Sequence, residues 1–296
     1  AMFAAGLGGI EQAFVDYTKA LGKEGFEVIC LIRRDAKIKG ALKRCGFYDS
    51  KSVRVFEVEN KLGKWDFSAK SEIAKIFKRE KPKLAFCHGN RAVSLCRKAA
   101  DKHNSKVIGL AHNYNINNLL KSDYIFAITE DLKEEISQAG FDKSKIFKVP
   151  NMIDVTGFNN SAFKAFESPP VIGVIARMVK KKGVDLFLKA LSALKFENVE
   201  FRAIIAGDGA EMEKLQSMRD DFKLNKEVEF IGWVEDKEKF YNDIDIFCLP
   251  STHEPFGIVL LEAMLHKKPI VSSETEGPRE IIENGEDGLI FENMHV

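Results

Sequence analysis

The chain has 296 residues, of which 45% are hydrophobic and 30% are charged. This composition is that of a folded globular protein of about two domains, and it excludes collagen-like, disordered and disulfide-stapled chains. No apolar run approaches the roughly 20 residues of a bilayer-spanning helix, and the opening residues do not resemble a signal peptide. We therefore expect neither a membrane span nor export.

Charge is divided unevenly along the chain. Residues 1–150 contain 28 Lys and Arg against 18 Asp and Glu, a net of +10, whereas the remainder has a net of −9. The first half is therefore the one suited to an anionic partner or a membrane surface.

The five cysteines show no paired CxxC spacing. This pattern indicates reduced thiols in a cytoplasmic protein rather than disulfides or a zinc site.

Short apolar runs alternate with longer amphipathic segments, which is typical of βαβ units around a parallel sheet. In chain order the first half predicts helix Glu11 to Lys23, strand Phe26 to Ile32, strand Val53 to Val58, helix Ser68 to Arg79, strand Leu84 to His88, helix Ala92 to His103, strand Lys106 to His112, strand Tyr124 to Thr129, helix Leu132 to Ala139 and strand Ile146 to Pro150.

The second half repeats the alternation. It predicts strand Val171 to Ala176, helix Val184 to Leu194, strand Arg202 to Ala206, helix Ala210 to Arg219, strand Val228 to Ile231, helix Lys237 to Asn242, strand Ile246 to Pro250, helix Gly257 to His266, strand Ile270 to Ser273, helix Pro278 to Asn284 and strand Leu289 to Phe291. We predict an α/β fold of two doubly wound Rossmann-like domains, 1–155 and 171–296, facing across a cleft and joined by a linker at 156–170. The opening strand and the closing helix look truncated, so we expect a part of a longer protein.

Ligands of such folds bind at the carboxyl ends of the strands. Gly8 and Gly9 precede a helix, where backbone N–H groups attract an anion, although a tight turn alone is an equal alternative. Arg177 follows the apolar strand VIGVIA, and Lys182 stands five residues later, just before another helix. A guanidinium and an ammonium at one strand end are typical of a diphosphate clamp, and the alternative is a solvated basic loop.

The segment STHEPFGIVLLEAM places two carboxylates around the start of a helix. Glu254 lies in the loop after a strand, and Glu262 lies eight residues later inside the helix. Both can accept hydrogen bonds from sugar hydroxyls. The first N–H groups of the helix, those of Phe256, Gly257 and Ile258, can hold phosphate or sugar oxygens. Together these features suit a nucleotide sugar.

Several motifs together resemble glycosyltransferase family 4. They are GLGGIEQ, His112-Asn113 at a strand end, Arg177 with Lys182-Gly183, IIAGDG, FIGWV, LPS, the two glutamates with seven residues between them, and EGPREIIENGEDGLIF. The resemblance is nearly unbroken over residues 171–291, whereas the linker carries NMID in place of the commoner NGID. It implies the GT-B fold and the transfer of an activated sugar with retention of anomeric configuration.

Carried over residue by residue, the resemblance implies that Arg177 and Lys182 bind the diphosphate and that Glu254 holds the transferred sugar. It places His112 near the donor sugar and Glu262 on the ribose hydroxyls. The further donor-binding positions are Gly8, Gly9, Gly207, Trp233, Val234, Phe256, Gly257 and Ile258. We expect no metal and no cofactor, because positive side chains can stabilise the departing diphosphate.

Two patterns that suggest metal sites have better structural explanations. Asp243 and Asp245 form a DxD sequence, but they precede a strand, on the side of the sheet away from the predicted cleft. Cys87, His88, Cys96 and His103 do not match the ligand spacing of a closed tetrahedral zinc site. We interpret both sets as structural residues.

The basic segment from Arg33 to Arg44 contains six Lys or Arg residues interleaved with apolar ones. Such a segment suits the anionic inner face of a membrane, and a solvated helix is an equal alternative. Nucleic acid is not expected, because no recognised nucleic-acid-binding fold accompanies the charge.

The sequence therefore predicts a cytoplasmic retaining glycosyltransferase that moves a hexosyl or N-acetylhexosaminyl group from a nucleotide-diphosphate donor, with uridine as the expected base. The expected acceptor is a hydroxyl of a glycan or glycolipid, as in polysaccharide or lipopolysaccharide biosynthesis. The alternatives are a GT-B nucleotide-sugar 2-epimerase and a non-catalytic nucleotide-sugar-binding protein. Donor sugar, acceptor, linkage and oligomeric state do not follow from the residues.

Overall fold

The computed structural model describes residues 1–4, 6, 8–46, 48, 50, 52–155 and 168–292. The chain divides into two compact units, Ala1–Asp154 and Val155–Val296. Residues 156–167 of the predicted linker lie outside the described residues.

The first unit alternates helices with parallel strands. Its helices are α1 (Gly9–Lys23), α2 (Ile38–Arg44), α3 (Phe67–Glu80), α4 (Asn90–Lys102) and α5 (Glu130–Gln138). Its strands are β1 (Val28–Arg33), β2 (Val53–Val58), β3 (Leu84–His88), β4 (Lys106–Ala111), β5 (Tyr124–Ala127) and β6 (Ile146–Lys148). All strand pairs in this unit are parallel, with β1 beside β2 in one sheet and the order β3-β4-β5-β6 in the other.

The opening residues connect these two sheets. The backbone N–H of Met2 donates to the carbonyl of Leu31 at 2.9 Å, and Met2 forms a parallel bridge with Ile32. On the other side, the N–H of His88 donates to the carbonyl of Ala1 at 3.0 Å. Residues 1–2 therefore lie between β1 and β3, which produces the strand arrangement of a doubly wound domain.

The second unit is a six-stranded parallel sheet of order β12-β11-β10-β7-β8-β9. Its strands are β7 (Val171–Ile175), β8 (Arg202–Ala206), β9 (Val228–Gly232), β10 (Ile246–Leu249), β11 (Ile270–Ser273) and β12 (Leu289–Phe291). Its helices are α6 (Val184–Phe196), α7 (Met212–Asp221), α8 (Lys237–Asp243), α9 (Ile258–Leu265) and α10 (Glu276–Ile281). Separate apolar clusters contain Phe187 and Leu215 in one and Phe240 and Leu260 in the other, which indicates helices on both faces of the sheet.

The strand predictions are confirmed throughout the described part of the chain. Some helix predictions were incomplete. Helix α2 was predicted only as one of two alternatives for the basic segment, because it is short and only Ile38 and Leu42 bury apolar side chains. Helix α10 begins at Glu276 rather than at Pro278, because proline is tolerated in the first turn, where its missing N–H has no intrahelical partner. No helix of the described residues is long and apolar enough to cross a bilayer.

Candidate active site

The loop after β7 carries a cluster of positive side chains. Arg177 is exposed at the end of the strand, and Lys180–Lys182 form a short 3₁₀ turn before α6. Burial and the neighbouring charges of Lys182 and Arg177 lower the pKa of Lys181, which shows that these cations lie close enough to repel one another. Such a cluster attracts an anion of high charge density.

Gly183 fixes this loop against the loop after β10. Its φ of 62° lies in the left-handed region, and a Cβ at this position would lie 1.8 Å from the carbonyl oxygen of Pro250. The N–H of Thr252 also donates to the carbonyl of Lys181 at 3.0 Å. Because only glycine allows this approach, the sequence Lys182-Gly183 brings the cations beside the segment that contains Glu254.

Lys182 and Glu254 form an ion pair that is largely removed from water. The Nζ of Lys182 donates to Oε2 of Glu254, and the side chains retain 16% and 11% of their exposure. The hydroxyl of Ser251 lies 3.5 Å from the same carboxylate oxygen. A buried carboxylate needs such partners, because an unpaired charge in this position would be costly. Two of the predicted site residues are thus in direct contact.

We expect Gly183→Ala to lower the free energy of unfolding by about 3 kcal/mol or more, because it combines a left-handed φ with a collision against backbone. The matched control is Gly285→Ala, where φ is 90° but no atom lies within 4 Å of the added Cβ. That variant should cost only about 1–2 kcal/mol. Urea unfolding of both variants measures the difference, and equal losses would show that the contact with Pro250 is unimportant.

The ends of β8 and β9 are tied to the same loop. The N–H of Gly207 donates to the carbonyl of Gly232 at 2.6 Å, and the N–H of Met178 donates to the carbonyl of Asp208 at 2.9 Å. A Cβ on Gly207 would lie 1.7 Å from the carbonyl oxygen of Ala176. Gly207 is therefore required where the β8 loop passes the end of β7. Trp233, half exposed, and Val234 follow directly after β9.

Glu262 has different partners from Glu254. Its Oε1 lies 2.5 Å from Nζ of Lys237, and its Oε2 accepts from the hydroxyl of Tyr241 at 3.1 Å. Burial and the nearby carboxylate raise the pKa of Tyr241 well above its usual range, so the hydroxyl remains a donor. The tyrosine ring also stacks on His266, with ring centroids 4.7 Å apart. The carboxylate is thus held in one orientation by α8.

The start of α9 is packed against α10. Gly257 is the N-cap of α9 in the left-handed conformation, and Phe256 and Ile258 are buried on either side of it. A Cβ on Gly277 would lie 2.1 Å from the carbonyl oxygen of Phe256, and the N–H of Gly277 donates to the carbonyl of Glu254 at 2.9 Å. The backbone between the two glutamates is therefore held closely by its neighbours.

In the first unit, Gly8 is the N-cap of α1 and Gly9 is the first helical residue. Residues 5 and 7 of the same turn lie outside the described residues. The helix begins two residues earlier than predicted, so Gly9 belongs to the helix rather than to a loop. The first N–H groups of any helix have no intrahelical acceptor, and the anion contact at Gly8 and Gly9 stays a prediction.

His112 follows β4 directly and is buried against His88 at the end of β3. The two rings stack with centroids 5.1 Å apart, and Nδ1 of His88 lies 3.1 Å from Nε2 of His112. Burial lowers the pKa of His112 to about 4. Burial and the neighbouring His112 also lower the pKa of His88. Both imidazoles are therefore neutral at pH 7.

Two family models together match nearly the whole chain. The model of the family described as "Glycosyltransferase Family 4" matches residues 7–156, and that described as "Glycosyl transferases group 1" matches residues 157–295. The chain belongs to glycosyltransferase family 4. Its fold is GT-B, with two doubly wound Rossmann-like domains, and the resemblance seen in the sequence motifs is confirmed.

Curated relatives of this glycosyltransferase include the lipopolysaccharide core biosynthesis glycosyltransferase LpsE of Rhizobium meliloti. The identity is 25%, over 96% of this chain and 81% of the relative. The poly(ribitol-phosphate) alpha-N-acetylglucosaminyltransferase of Staphylococcus aureus is 27% identical, over 63% of this chain but only 37% of that protein.

Solved structures agree on the fold of the glycosyltransferase. Anabaena Alr3699/HepE in complex with UDP superposes with a TM-score of 0.79 at 20% identity, over 99% of this chain and 85% of that one. The lipopolysaccharide outer core galactosyltransferase WaaB, in its apo form, superposes with a TM-score of 0.77 at 20% identity, over the same shares of the two chains.

Sequence reasoning missed three residues that contact the predicted site residues of the glycosyltransferase. Lys237 and Tyr241 hold Glu262, and His88 holds His112. The spacing of Lys237 and Tyr241 is i,i+4, which indicates a common helix face but not what that face contacts. His88 was considered only as a zinc ligand.

Several residues of the two metal-like patterns occupy structural positions in the glycosyltransferase. Asp245 accepts a hydrogen bond from the backbone N–H of Val171 at 2.8 Å and so joins the amino ends of β10 and β7. Cys87, Cys96 and His88 are buried in the first unit. Within the described ranges, no three His, Cys, Asp or Glu side chains are grouped so that they could hold a metal ion.

Proposed function

We propose that the enzyme transfers a sugar from a UDP-sugar to a hydroxyl of a glycan or glycolipid, with retention of anomeric configuration. The observation that carries this proposal is the buried ion pair of Lys182 with Glu254 beside Arg177, at the end of β7. A cation cluster next to a carboxylate suits a donor that is anionic at the diphosphate and rich in hydroxyls at the sugar. Two similar proteins support the proposal. LpsE is described as a lipopolysaccharide core biosynthesis glycosyltransferase, and the structure of HepE has been solved in complex with UDP-glucose.

Departure of the diphosphate is the electrostatic problem of the reaction. Arg177 and Lys182 would bind its oxygens and stabilise the charge that develops when the bond to the sugar breaks. Lys182 is paired with Glu254. When the donor binds, the ammonium group of Lys182 would exchange the carboxylate of Glu254 for a phosphate oxygen. Glu254 would then be released toward the hydroxyls of the transferred sugar. Retention would follow if the acceptor attacks from the face that the diphosphate leaves.

The remaining predicted residues would surround the donor. Glu262, oriented by Tyr241, would accept hydrogen bonds from the ribose hydroxyls. In the first unit, Gly8 and Gly9 would contact the distal phosphate, and His112 would lie near the donor sugar. The other proposed donor contacts come from the ends of β8 and β9 and from the start of α9, namely Gly207, Trp233, Val234, Phe256, Gly257 and Ile258.

We expect Arg177→Ala and Lys182→Ala each to weaken binding of free UDP about 10-fold, because each removes a charge-assisted contact to phosphate. Titration calorimetry with UDP and with UDP-sugars measures the effect. The control is Lys180→Ala, which removes an exposed lysine of the same turn and should leave UDP affinity within about twofold. Unchanged UDP affinity in both clamp variants would contradict the proposed diphosphate site.

Activity should survive exhaustive chelation, because we propose that positive side chains perform the role that a divalent cation has in metal-dependent transferases. The measurement is the release of UDP in the presence of an acceptor, before and after treatment with EDTA. Loss of turnover that magnesium or manganese restores would show that a metal takes part. The same assay separates transfer from 2-epimerisation, which leaves the sugar on the nucleotide.

We also propose peripheral contact between the first unit and an anionic membrane through the basic segment Arg33–Arg44. Within this segment α2 buries Ile38 and Leu42, whereas Lys37, Lys43 and Arg44 are exposed. Three of the six cations already have acidic partners in the unit: Arg33 with Asp35, Arg34 with Glu59 and Lys39 with Glu57. Binding should fall steeply with salt if the remaining charges provide the contact.

A further inference from the structure

A second surface of the first unit exposes large apolar side chains. It lies in the segment Lys61–Phe67 between β2 and α3, where Leu62 is 69% exposed, Trp65 67% and Phe67 77%. Single exposed apolar residues are ordinary, but three within six residues form a patch of the kind that marks an interaction site.

The fold holds this segment firmly. Asp66 is 3% exposed, and its carboxylate accepts from the backbone N–H groups of Lys61 at 2.8 Å and of Ala69 at 3.0 Å. The hydroxyl of Ser68 donates to it at 2.6 Å. Because Asp66 points inward, Trp65 and Phe67 on either side of it are left outside. The aromatic rings are therefore presented before any partner arrives, which lowers the entropy cost of binding.

Each exposed ring has an ammonium group beside it. Nζ of Lys64 lies 5.3 Å from the ring centroid of Trp65, and Nζ of Lys70 lies 5.5 Å from that of Phe67. Lys61, which pairs with Glu59, is also exposed. Aromatic rings with adjacent lysines suit the boundary between lipid headgroups and acyl chains, where the rings enter the interface and the cations meet anionic headgroups.

This surface lies at the same sheet edge as the basic segment Arg33–Arg44. Strands β1 and β2 pair in parallel with Arg33 opposite Val58, so the segments that follow them leave the sheet together. The N–H of Arg34 donates to the carbonyl of Val58 at 3.0 Å, and its side chain pairs with Glu59 at 3.9 Å. The apolar rings and the basic segment therefore follow neighbouring strands at the same end of the sheet.

We propose that Leu62, Trp65 and Phe67, with Lys61, Lys64 and Lys70 around them, form a docking patch for an anionic lipid bilayer. Trp65 and Phe67 enter the interfacial layer, and the lysines contact the headgroups. This inference rests on the membrane contact proposed above but not on the sugar-transfer reaction. It adds an apolar, salt-insensitive component that the basic segment alone does not provide.

Tryptophan fluorescence tests the insertion directly. The chain contains two tryptophans, so the variant Trp233→Phe leaves Trp65 as the reporter. Vesicles containing phosphatidylglycerol should shift its emission to the blue, and brominated acyl chains should quench it, whereas pure phosphatidylcholine vesicles should produce smaller changes. If the protein sediments with the anionic vesicles without a shift or quenching of Trp65, the insertion of this patch is wrong. Quenching by a soluble glycan without vesicles would instead assign the patch to carbohydrate.

The partition of the protein between water and lipid vesicles provides a second test of the docking patch. Trp65→Ser with Phe67→Ser should lower the vesicle partition coefficient about 10-fold or more, at low and at high salt. The matched control is Phe196→Ser, since Phe196 is 88% exposed but lies in the second unit, and it should not change partition. If neutralising Arg33–Arg44 abolishes binding while the double serine variant binds normally, the basic segment is the contact and this inference fails. UDP affinity, measured in parallel on the variants that retain Trp233, tests the proposed donor site independently.

Discussion

Replacing Glu254 by glutamine should lower the rate of sugar transfer about 100-fold, while the affinity for free UDP stays the same or rises. The amide keeps the shape of the side chain but loses the charge proposed to hold the sugar hydroxyls. Free UDP has no transferred sugar, so it does not use that contact. Lys182 loses its carboxylate partner in the variant and becomes more available to the diphosphate.

Glu262→Gln is the matched comparison, because it makes the same chemical change on the other glutamate. It should weaken UDP and UDP-sugar alike, by about 10-fold, since both ligands carry the ribose. Calorimetry with the two ligands and steady-state rates with a saturating acceptor separate the variants. Thermal unfolding of each variant shows that it is folded. Equal losses of UDP affinity in Glu254→Gln and Glu262→Gln would contradict the separate roles assigned to the two carboxylates.

The first unit should lose about 3 kcal/mol of unfolding free energy when the pH falls from 7.5 to 4 because of His112. The pKa of this side chain is about 4 in the folded state, against 6.5 when it is unperturbed. Below pH 6.5 the unfolded chain therefore binds a proton that the folded state does not. The contribution is complete above pH 6.5 and is lost as the pH falls toward 4. His88, whose pKa is also lowered, acts in the same direction.

Urea unfolding followed by Trp65 fluorescence, in the Trp233→Phe background, reports on the first unit. The double variant His88→Gln with His112→Gln should lose most of the pH dependence between pH 6.5 and 4, whatever its stability at pH 7.5. His103→Gln, at the end of α4, is the control and should retain it. An unchanged slope in the double variant would mean that acidic side chains, not the histidine pair, cause the loss.

Local sequence signals were sufficient to locate the strands of this glycosyltransferase and the loops that follow them. Apolar runs of period two and glycine turns are local signals, so the strands could be placed from the residues alone. Because parallel strands end at one edge of a sheet, the same signals placed Arg177, Glu254 and His112 at carboxyl ends of strands. The helices were located less accurately where few apolar side chains are buried, as in α2.

The contacts between polar side chains, by contrast, follow only from the folded chain. Lys182 and Glu254 are 72 residues apart in the chain, and Lys237 and Glu262 are 25 apart, yet each pair is in contact. Periodicity indicates which face of an element is apolar but not which polar groups lie opposite one another across loops. The outward direction of Trp65 likewise depends on the inward direction of Asp66, which follows from hydrogen bonds to backbone that only the folded segment brings together.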